Sequence, residues 1–109
     1  MIRIEYERID GDIRYLSIKG HANSGDYGKD LVCAAVSSIV FGGLNAIKNP
    51  KSFDIKVNDG DVKILALDNV QKDDYDVLNV MLVQLLTVEE DNKKYIQIVE
   101  KGWEKCYLN

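Results

Sequence analysis

The chain has 109 residues, which is the size of one ordinary domain, so we expect a single domain over residues 1–109. Its 46% hydrophobic and 29% charged residues are typical of a globular protein and exclude a disordered or fibrous chain. The chain has 18 acidic and 14 basic residues, and its net charge of −4 argues against direct binding to nucleic-acid phosphates. The sequence has no apolar run near the roughly 20 residues of a membrane span and no signal peptide at its charged start. We therefore expect an intracellular protein that does not contact a membrane.

The first half of the sequence predicts two strands followed by a helix. Apolar and charged residues alternate over residues 2–7, and Asp10-Gly11 favours a hairpin turn before a second strand over residues 13–19. Residues 20–29 contain three glycines, which is typical of a loop. Residues 30–48 are apolar almost all round, which predicts a buried helix with Asp30 as its N-cap.

The second half repeats this order and adds one strand. Alternation over residues 53–58, the turn signal Asp59-Gly60 and a β-rich run over residues 62–67 predict another hairpin. Apolar residues at helical spacing predict an amphipathic helix over residues 70–90, and residues 95–99 predict a last strand. The fold class is therefore α+β, with two layers: a mainly antiparallel sheet and two helices packed against it, in the order ββαββαβ.

A histidine and a cysteine near the predicted loop and helix suggest nucleophilic catalysis. His21 is the only histidine and lies in the glycine-rich loop, whereas Cys33 falls in the first turn of the predicted helix. A helix N-terminus lowers the pKa of a thiol, and an imidazole can take the thiol proton and return it to a leaving amine. The amides of Cys33 and Ala34 are candidate oxyanion donors, and Asp30 could orient the histidine instead of capping the helix.

Each of these residues also has an ordinary structural explanation. A cysteine in an apolar helix is most often a small hydrophobic residue, a lone histidine is most often a turn residue, and an aspartate before a helix is most often a cap. A zinc site would have only His21, Cys33 and Cys106 as soft ligands, without a CxxC or HxxxH pair. We therefore predict no metal and no cofactor.

Spacing and residue type together carry a family resemblance. Residues 20–37 fit the pattern GHA-x-x-G-x-x-G-x-D-[IL]-V-C-A-A-V-S, which covers about a sixth of the chain. This pattern resembles the signature of the ribosomal-processing cysteine protease family, often called Prp. The predicted element order and the length also agree with that family. Leu31 is a conservative variation within the pattern.

The resemblance implies a small, homodimeric, cytoplasmic bacterial protease without a cofactor. Its relatives remove a short N-terminal extension from the large-subunit ribosomal protein twenty-seven, so the implied partners are that peptide and a second copy of the chain. Carried over by position, His21 is the base, Cys33 the nucleophile, and Asp30 and Ser37 support the site. The loop that folds over the substrate would comprise four further positions: Gly20, Ala22, Gly25 and Gly28.

Two other functions remain open from the sequence. The same loop could grip a peptide without cleaving it, as in a ribosome-assembly or interaction module. A thiol redox sensor would instead require Cys33 and Cys106 to lie within disulfide range. The adjacent glycines Gly42 and Gly43 suggest close packing of the first helix against another backbone, or a tolerated kink. Together with the apolar excess of that helix, they are the sequence's only hint of a dimer interface.

Overall fold

A computed structural model gives the fold of the chain. It describes residues 1–20 and 27–102, with the side chains of 27–30 excepted. Five strands form one sheet in the order β3-β4-β2-β1-β5. The two helices cover one face of this sheet, which confirms the predicted α+β class and the order ββαββαβ. Neither helix, over the residues described, is long and apolar enough to cross a bilayer.

The first hairpin joins β1 (Ile2–Ile9) to β2 (Asp12–Lys19) through a turn in which Asp10 and Gly11 both have positive φ. The pairing shifts register between Glu7 and Arg8, because Tyr15 opposes Glu7 whereas Ile13 opposes Arg8. One extra residue on β2 therefore forms a bulge. The bulge explains why Ile13 and Leu16, at an odd spacing, are both fully buried.

The second hairpin joins β3 (Phe53–Asn58) to β4 (Asp61–Ala66), and β4 pairs antiparallel with β2 at the centre of the sheet. Strand β5 (Ile96–Lys101) lies parallel to β1 at the opposite edge. All other pairs are antiparallel. The sheet is thus mainly antiparallel, as predicted.

The helices α1 (Tyr27–Ala46) and α2 (Lys72–Glu90) pack against the sheet and each other around one hydrophobic core. At Gly43 of α1, an added Cβ would collide with the side chain of Met81 in α2 and lie 2.8 Å from its Cε. Gly42 has no such neighbour within 4 Å. Among the described side chains, the largest fully buried apolar core members are Ile4, Ile13, Leu16, Val40, Ile64, Leu78, Met81, Leu82, Leu85 and Ile96.

The predicted start of the first helix was wrong. α1 begins at Tyr27, so Asp30 lies within the first turn and is not the N-cap. Gly28 belongs to this turn and not to a loop, since packing of the apolar helix outweighs a propensity cost of about 1 kcal/mol for one glycine. The second helix begins at Lys72, two residues later than predicted, because Gln71 has an extended ψ of 152° and is the N-cap.

A buried carboxylate joins the end of α1 to the start of α2. Asp74 is 0% exposed, and its two oxygens accept hydrogen bonds from the backbone N–H groups of Lys48, at 2.8 Å, and Asn49, at 3.0 Å. These amides follow the last turn of α1 and precede a single 3₁₀ turn, Pro50–Ser52. The charge therefore fixes where the chain turns from α1 toward β3.

The edge strand β5 donates a hydrogen bond to a side chain outside the sheet. The backbone N–H of Ile98 donates to Glu89 Oε2 at 2.6 Å. Glu89 lies in the last turn of α2, so the end of that helix is held against the middle of β5.

Candidate functional site

A groove of about 500 Å³ separates α1 from the tip of the β3–β4 hairpin. Its volume lies within the 300–1,000 Å³ that is common for ligand pockets. Three parts of the fold meet there: one face of α1, the hairpin tip, and the end of β2 beside the start of β1. The lining residues are Ile2, Ile18, Gly20, Cys33, Val36, Ser37, Val40, Phe41, Val57, Asn58, Asp59, Gly60, Asp61 and Val62.

The helical wall of the groove follows from residue spacing. Cys33, Ser37 and Phe41 recur every four residues, so they lie one above the other on one face of α1. Val36 and Val40 flank this row and are 4% and 2% exposed, so they join the groove to the core. Cys33 itself is half-buried, with its thiol in the groove wall.

The opposite wall is apolar at its base and polar at its rim. Val57 is 50% exposed and pairs across the hairpin with Val62, which is buried. Asn58 to Asp61 form the turn above them. An extended peptide with an apolar side chain can enter such a groove and place a carbonyl carbon near the Cys33 thiol, where a thiolate would attack it.

Gly20 lies where β2 ends and the segment bearing His21 begins. Its N–H donates to the carbonyl oxygen of Gly60 at 2.9 Å, which ties this junction to the hairpin tip. Its φ is 112°, and an added Cβ would collide with the carbonyl oxygen of Met1 and lie 3.2 Å from the Cα of Ile2. Only glycine fits this backbone without strain.

The structure brings part of the predicted site together. Cys33, Ser37 and Gly20 all line the groove, whereas Ala34 points to solvent on another face of α1. Gly28 and Asp30 lie in the first turn of that helix. Three further predicted positions, His21, Ala22 and Gly25, lie outside the described residues.

The position of Cys33 within α1 changes one part of the prediction. Because the helix begins at Tyr27, Cys33 is its seventh residue and lies in the second turn. The amides of Cys33 and Ala34 then engage carbonyls one turn earlier in the helix, so they are not free to donate to an oxyanion. The predicted oxyanion donors, like the placement of Cys33 in the first turn, are corrected by this earlier helix start.

The two alternative uses of the cysteines involve residues beyond the described part of the chain. The predicted redox use begins at Cys33, which lines the groove. Its predicted redox partner, Cys106, lies outside the described residues. Within the described residues, no group of three histidine, cysteine or acidic side chains could hold a metal ion.

Sequence reasoning missed the hairpin wall. Val57 and Gly60 were assigned only to a strand and a turn, although both line the groove beside Cys33. They follow the cysteine by more than 20 residues, so no short motif joins them to it. The available signal was topological: β2 and β4 pair at the centre of the sheet, which brings the second hairpin tip beside the end of β2.

Comparison with known sequences identifies relatives over most of the chain. The family described as cysteine protease Prp matches residues 1–97. The ribosomal processing cysteine protease Prp of Staphylococcus aureus strain Mu50 is 36% identical over 93 residues, which cover 82% of this chain and 88% of that protein. The protein of the same name from Bacillus subtilis is 47% identical over a shorter stretch of 38 residues, 35% of this chain and 34% of that protein.

Two crystal structures of a Staphylococcus aureus relative share the fold. One is an essential ribosomal processing protease Prp in complex with a substrate peptide, with a TM-score of 0.81 and 34% identity. The other holds a covalently linked product peptide, with a TM-score of 0.80 and 35% identity. Each comparison covers 93% of this chain and 100% of the other.

Proposed function

The chain belongs to the cysteine protease Prp family and is a ribosomal processing cysteine protease, and from this premise we propose its substrate and its catalytic residues. The substrate is the N-terminal extension of the large-subunit ribosomal protein twenty-seven. The observation that carries the proposal is the Cys33 thiol in the wall of a groove of peptide-binding size. This cysteine is also the one in the family signature over residues 20–37.

The reaction is acyl transfer to Cys33 followed by hydrolysis. His21 takes the thiol proton, and the Cys33 sulfur attacks the carbonyl carbon of the scissile bond. The carbon–nitrogen bond breaks as the His21 imidazolium gives its proton to the leaving amine. Water then attacks the thioester, His21 accepts a proton from that water, and the sulfur leaves as a thiolate that His21 reprotonates.

The remaining signature residues support these steps. Ser37 lies one helical turn after Cys33 in the same wall, where its hydroxyl can hydrogen-bond to a bound peptide or to the site. We assign Asp30 the role of orienting His21. Because α1 begins at Tyr27, Asp30 is not the N-cap of this helix, and orientation is the other role that the sequence suggested for it. The glycine-rich positions Gly20, Gly25 and Gly28, with Ala22 between them, let the chain approach the peptide closely.

The test is cleavage of a synthetic peptide that spans the extension of the matching ribosomal protein. Mass spectrometry should find one cut with the wild-type protein and none with Cys33→Ala, whose alanine fits the half-buried position. His21→Ala should also abolish the cut, whereas Cys106→Ala should retain it as the matched control. Cleavage by Cys33→Ala at the wild-type rate would refute the nucleophile. An intact peptide that nevertheless binds wild-type protein would favour a non-catalytic binding module.

We also propose that the protein is a homodimer. α2 carries three large apolar side chains at a spacing of three residues, Val80, Val83 and Leu86, which are 56%, 61% and 38% exposed. An exposed apolar stripe of this kind is typical of a contact surface, and a second copy is the partner that the family resemblance implies. Sedimentation should give a dimer for the wild type and a monomer for Val83→Lys. Leu65→Lys, on the opposite face of the sheet, is the control, and equal masses for all three would refute this interface.

The proposed substrate also places the protein in the cytoplasm, where ribosomal proteins are made. Its net charge of −4 suits that role, because an acidic enzyme approaches a basic ribosomal protein without binding ribosomal RNA indiscriminately. Fractionation of cells should recover the protein with the soluble cytoplasmic proteins. Recovery with the membrane fraction would contradict this location.

A further inference from the structure

The backbone at the end of β2 is held by two contacts just before His21. Strand β2 ends at Lys19, and the next residue, Gly20, donates its N–H to the carbonyl oxygen of Gly60 at 2.9 Å. The space that a Cβ of Gly20 would need is taken by the carbonyl oxygen of Met1. The chain at Gly20 therefore contacts both the residue that precedes β1 and the tip of the second hairpin.

The hydrogen bond between Gly20 and Gly60 lies beyond the paired strands. The register of β2 with β4 ends where Lys19 opposes Asp61, and this bond follows one residue later. Gly60 belongs to the turn of the second hairpin and has a φ of 69°. Gly20, Gly60 and Cys33 all line the groove. The bond therefore continues the pairing of the two hairpins to the edge of the candidate site.

We propose that the tip of the second hairpin positions the catalytic histidine through the hydrogen bond from Gly20 to Gly60. The inference rests on the proposed function, since it takes His21 as the base for Cys33. His21 follows Gly20 directly, and consecutive Cα atoms lie only about 3.8 Å apart. A fixed backbone at Gly20 therefore fixes the point from which His21 leaves the sheet. Gly20 and Gly60 do not react with the substrate, so both are positioning residues.

The conformation of Gly20 supports a role in holding the chain. Its φ of 112° brings the backbone against Met1, and a residue with a side chain would be strained and would collide there. The glycine is thus required for a close contact rather than for mobility. Catalysis is sensitive to such a contact, because a displacement of about 1 Å in a reacting group costs up to about a hundredfold in rate.

The test replaces the Gly20 N–H with an ester oxygen, which removes the donor and keeps every side chain. Residues 1–32 are synthesised with Gly20→glycolic acid and joined to residues 33–109 by native chemical ligation at Cys33. The matched control is Gly11→glycolic acid, because Gly11 also has a positive φ but lies in the first hairpin turn, outside the groove. The all-amide chain made in the same way is the reference, and thermal unfolding checks that each chain is folded.

Cleavage of the peptide from the ribosomal protein extension separates positioning from binding. Gly20→glycolic acid should lower kcat by about tenfold or more, because the imidazole is no longer held in place for proton transfer. KM should change much less than kcat, because the side chains of the groove are unaltered. Gly11→glycolic acid should stay within about twofold of the reference. An unchanged kcat, or a loss confined to KM, would overturn the positioning role.

Alkylation of Cys33 by iodoacetamide, located by peptide mapping, determines whether the effect passes through His21. Only the thiolate reacts, so an imidazole that takes the thiol proton speeds the reaction near neutral pH. Gly20→glycolic acid should slow alkylation severalfold when His21 is present and should have no further effect when combined with His21→Ala. Equal slowing in both backgrounds would indicate a merely structural effect and would overturn the proposal.

Failure of the proposed function has a different signature. If the all-amide chain cuts no peptide, the alkylation measurements alone decide the positioning role. If His21→Ala leaves both cleavage and alkylation unchanged, the histidine is not the base and the positioning role fails with it. If His21→Ala abolishes cleavage but Gly20→glycolic acid has no effect, the positioning role is refuted and the proposed function stands.

Discussion

Removal of the Asp74 carboxylate should destabilise the fold more than any other single loss of charge described above. Its oxygens accept the N–H groups of Lys48 and Asn49 at 2.8 and 3.0 Å, and the side chain is 0% exposed. Hydrogen bonds to a charged group contribute about 1.5–3 kcal/mol each. Lys48 and Asn49 are themselves exposed, so water can reach part of their backbone in the variant. We therefore expect Asp74→Ala to lower the free energy of unfolding by about 3 kcal/mol, at the lower end of the sum.

Urea unfolding followed by circular dichroism measures this loss. A domain of this size has a total stability of about 5–15 kcal/mol, so a loss of about 3 kcal/mol moves the midpoint clearly. Asp74→Asn should have an intermediate effect, because its amide group offers only one acceptor oxygen to the two N–H groups.

The matched control is the neighbouring aspartate. Asp73 pairs with the Lys48 ammonium at 3.0 Å, but its side chain is 66% exposed. Surface ion pairs of this kind contribute about 0–1 kcal/mol, so Asp73→Ala should have little effect. If Asp74→Ala and Asp73→Ala gave the same small loss, the structural role assigned to the buried carboxylate would be refuted.

Two further predictions concern helix packing and charge. Gly42→Ala should stabilise the protein by up to about 1 kcal/mol, because a Cβ there meets nothing within 4 Å. Gly43→Ala should destabilise it by about 1–3 kcal/mol, because its Cβ would collide with the Met81 side chain. Thermal unfolding compares the two variants, and equal shifts in midpoint would contradict the close approach of Gly43 to Met81. A hydrogen bond from Lys101 lowers the pKa of Glu5, so this carboxylate contributes stability above its ordinary pKa of about 4.3 and loses that contribution as the pH falls through its lowered value. Glu5→Gln should therefore flatten the fall in stability below about pH 4.3 in acid titration, and an unchanged slope would count against the interaction.

The strands of this protein were predictable because each hairpin carries its own local signals. Asp10-Gly11 and Asp59-Gly60 fix the turns, and alternation before and after them fixes the buried face. The start of α1 was not predictable in the same way. Gly28 has poor helix propensity and the residues before it include further glycines, so a local interpretation ends the loop too late.

Part of the candidate site was also beyond local reasoning. The thiol of Cys33 was found because a compact motif surrounds it, whereas the Val57 wall comes from another hairpin. The hydrogen bonds of the buried Asp74 carboxylate were missed for the same reason, since the N–H groups that they join lie 25 and 26 residues away in sequence. Only the three-dimensional pairing of the two ββα halves brings such residues together. Gly43 is a related case: it packs against the Met81 side chain of α2, and not against a backbone as the sequence suggested.

The contact between Glu89 and Ile98 bears on how the protein behaves at high concentration. In the part of the chain that the structure describes, the sheet ends at β3 and β5, and a strand from another molecule can add at such an edge. At β5, the newcomer would first have to displace a carboxylate hydrogen bond of 2.6 Å from the middle of the strand. At β3, the exposed charges of Asp54 and Lys56 stand along the edge strand. Addition of a strand from another molecule is thus opposed at β5 by the Glu89 carboxylate of α2 and at β3 by exposed charged side chains. A variant that loses the Glu89 side chain should polymerise through β5.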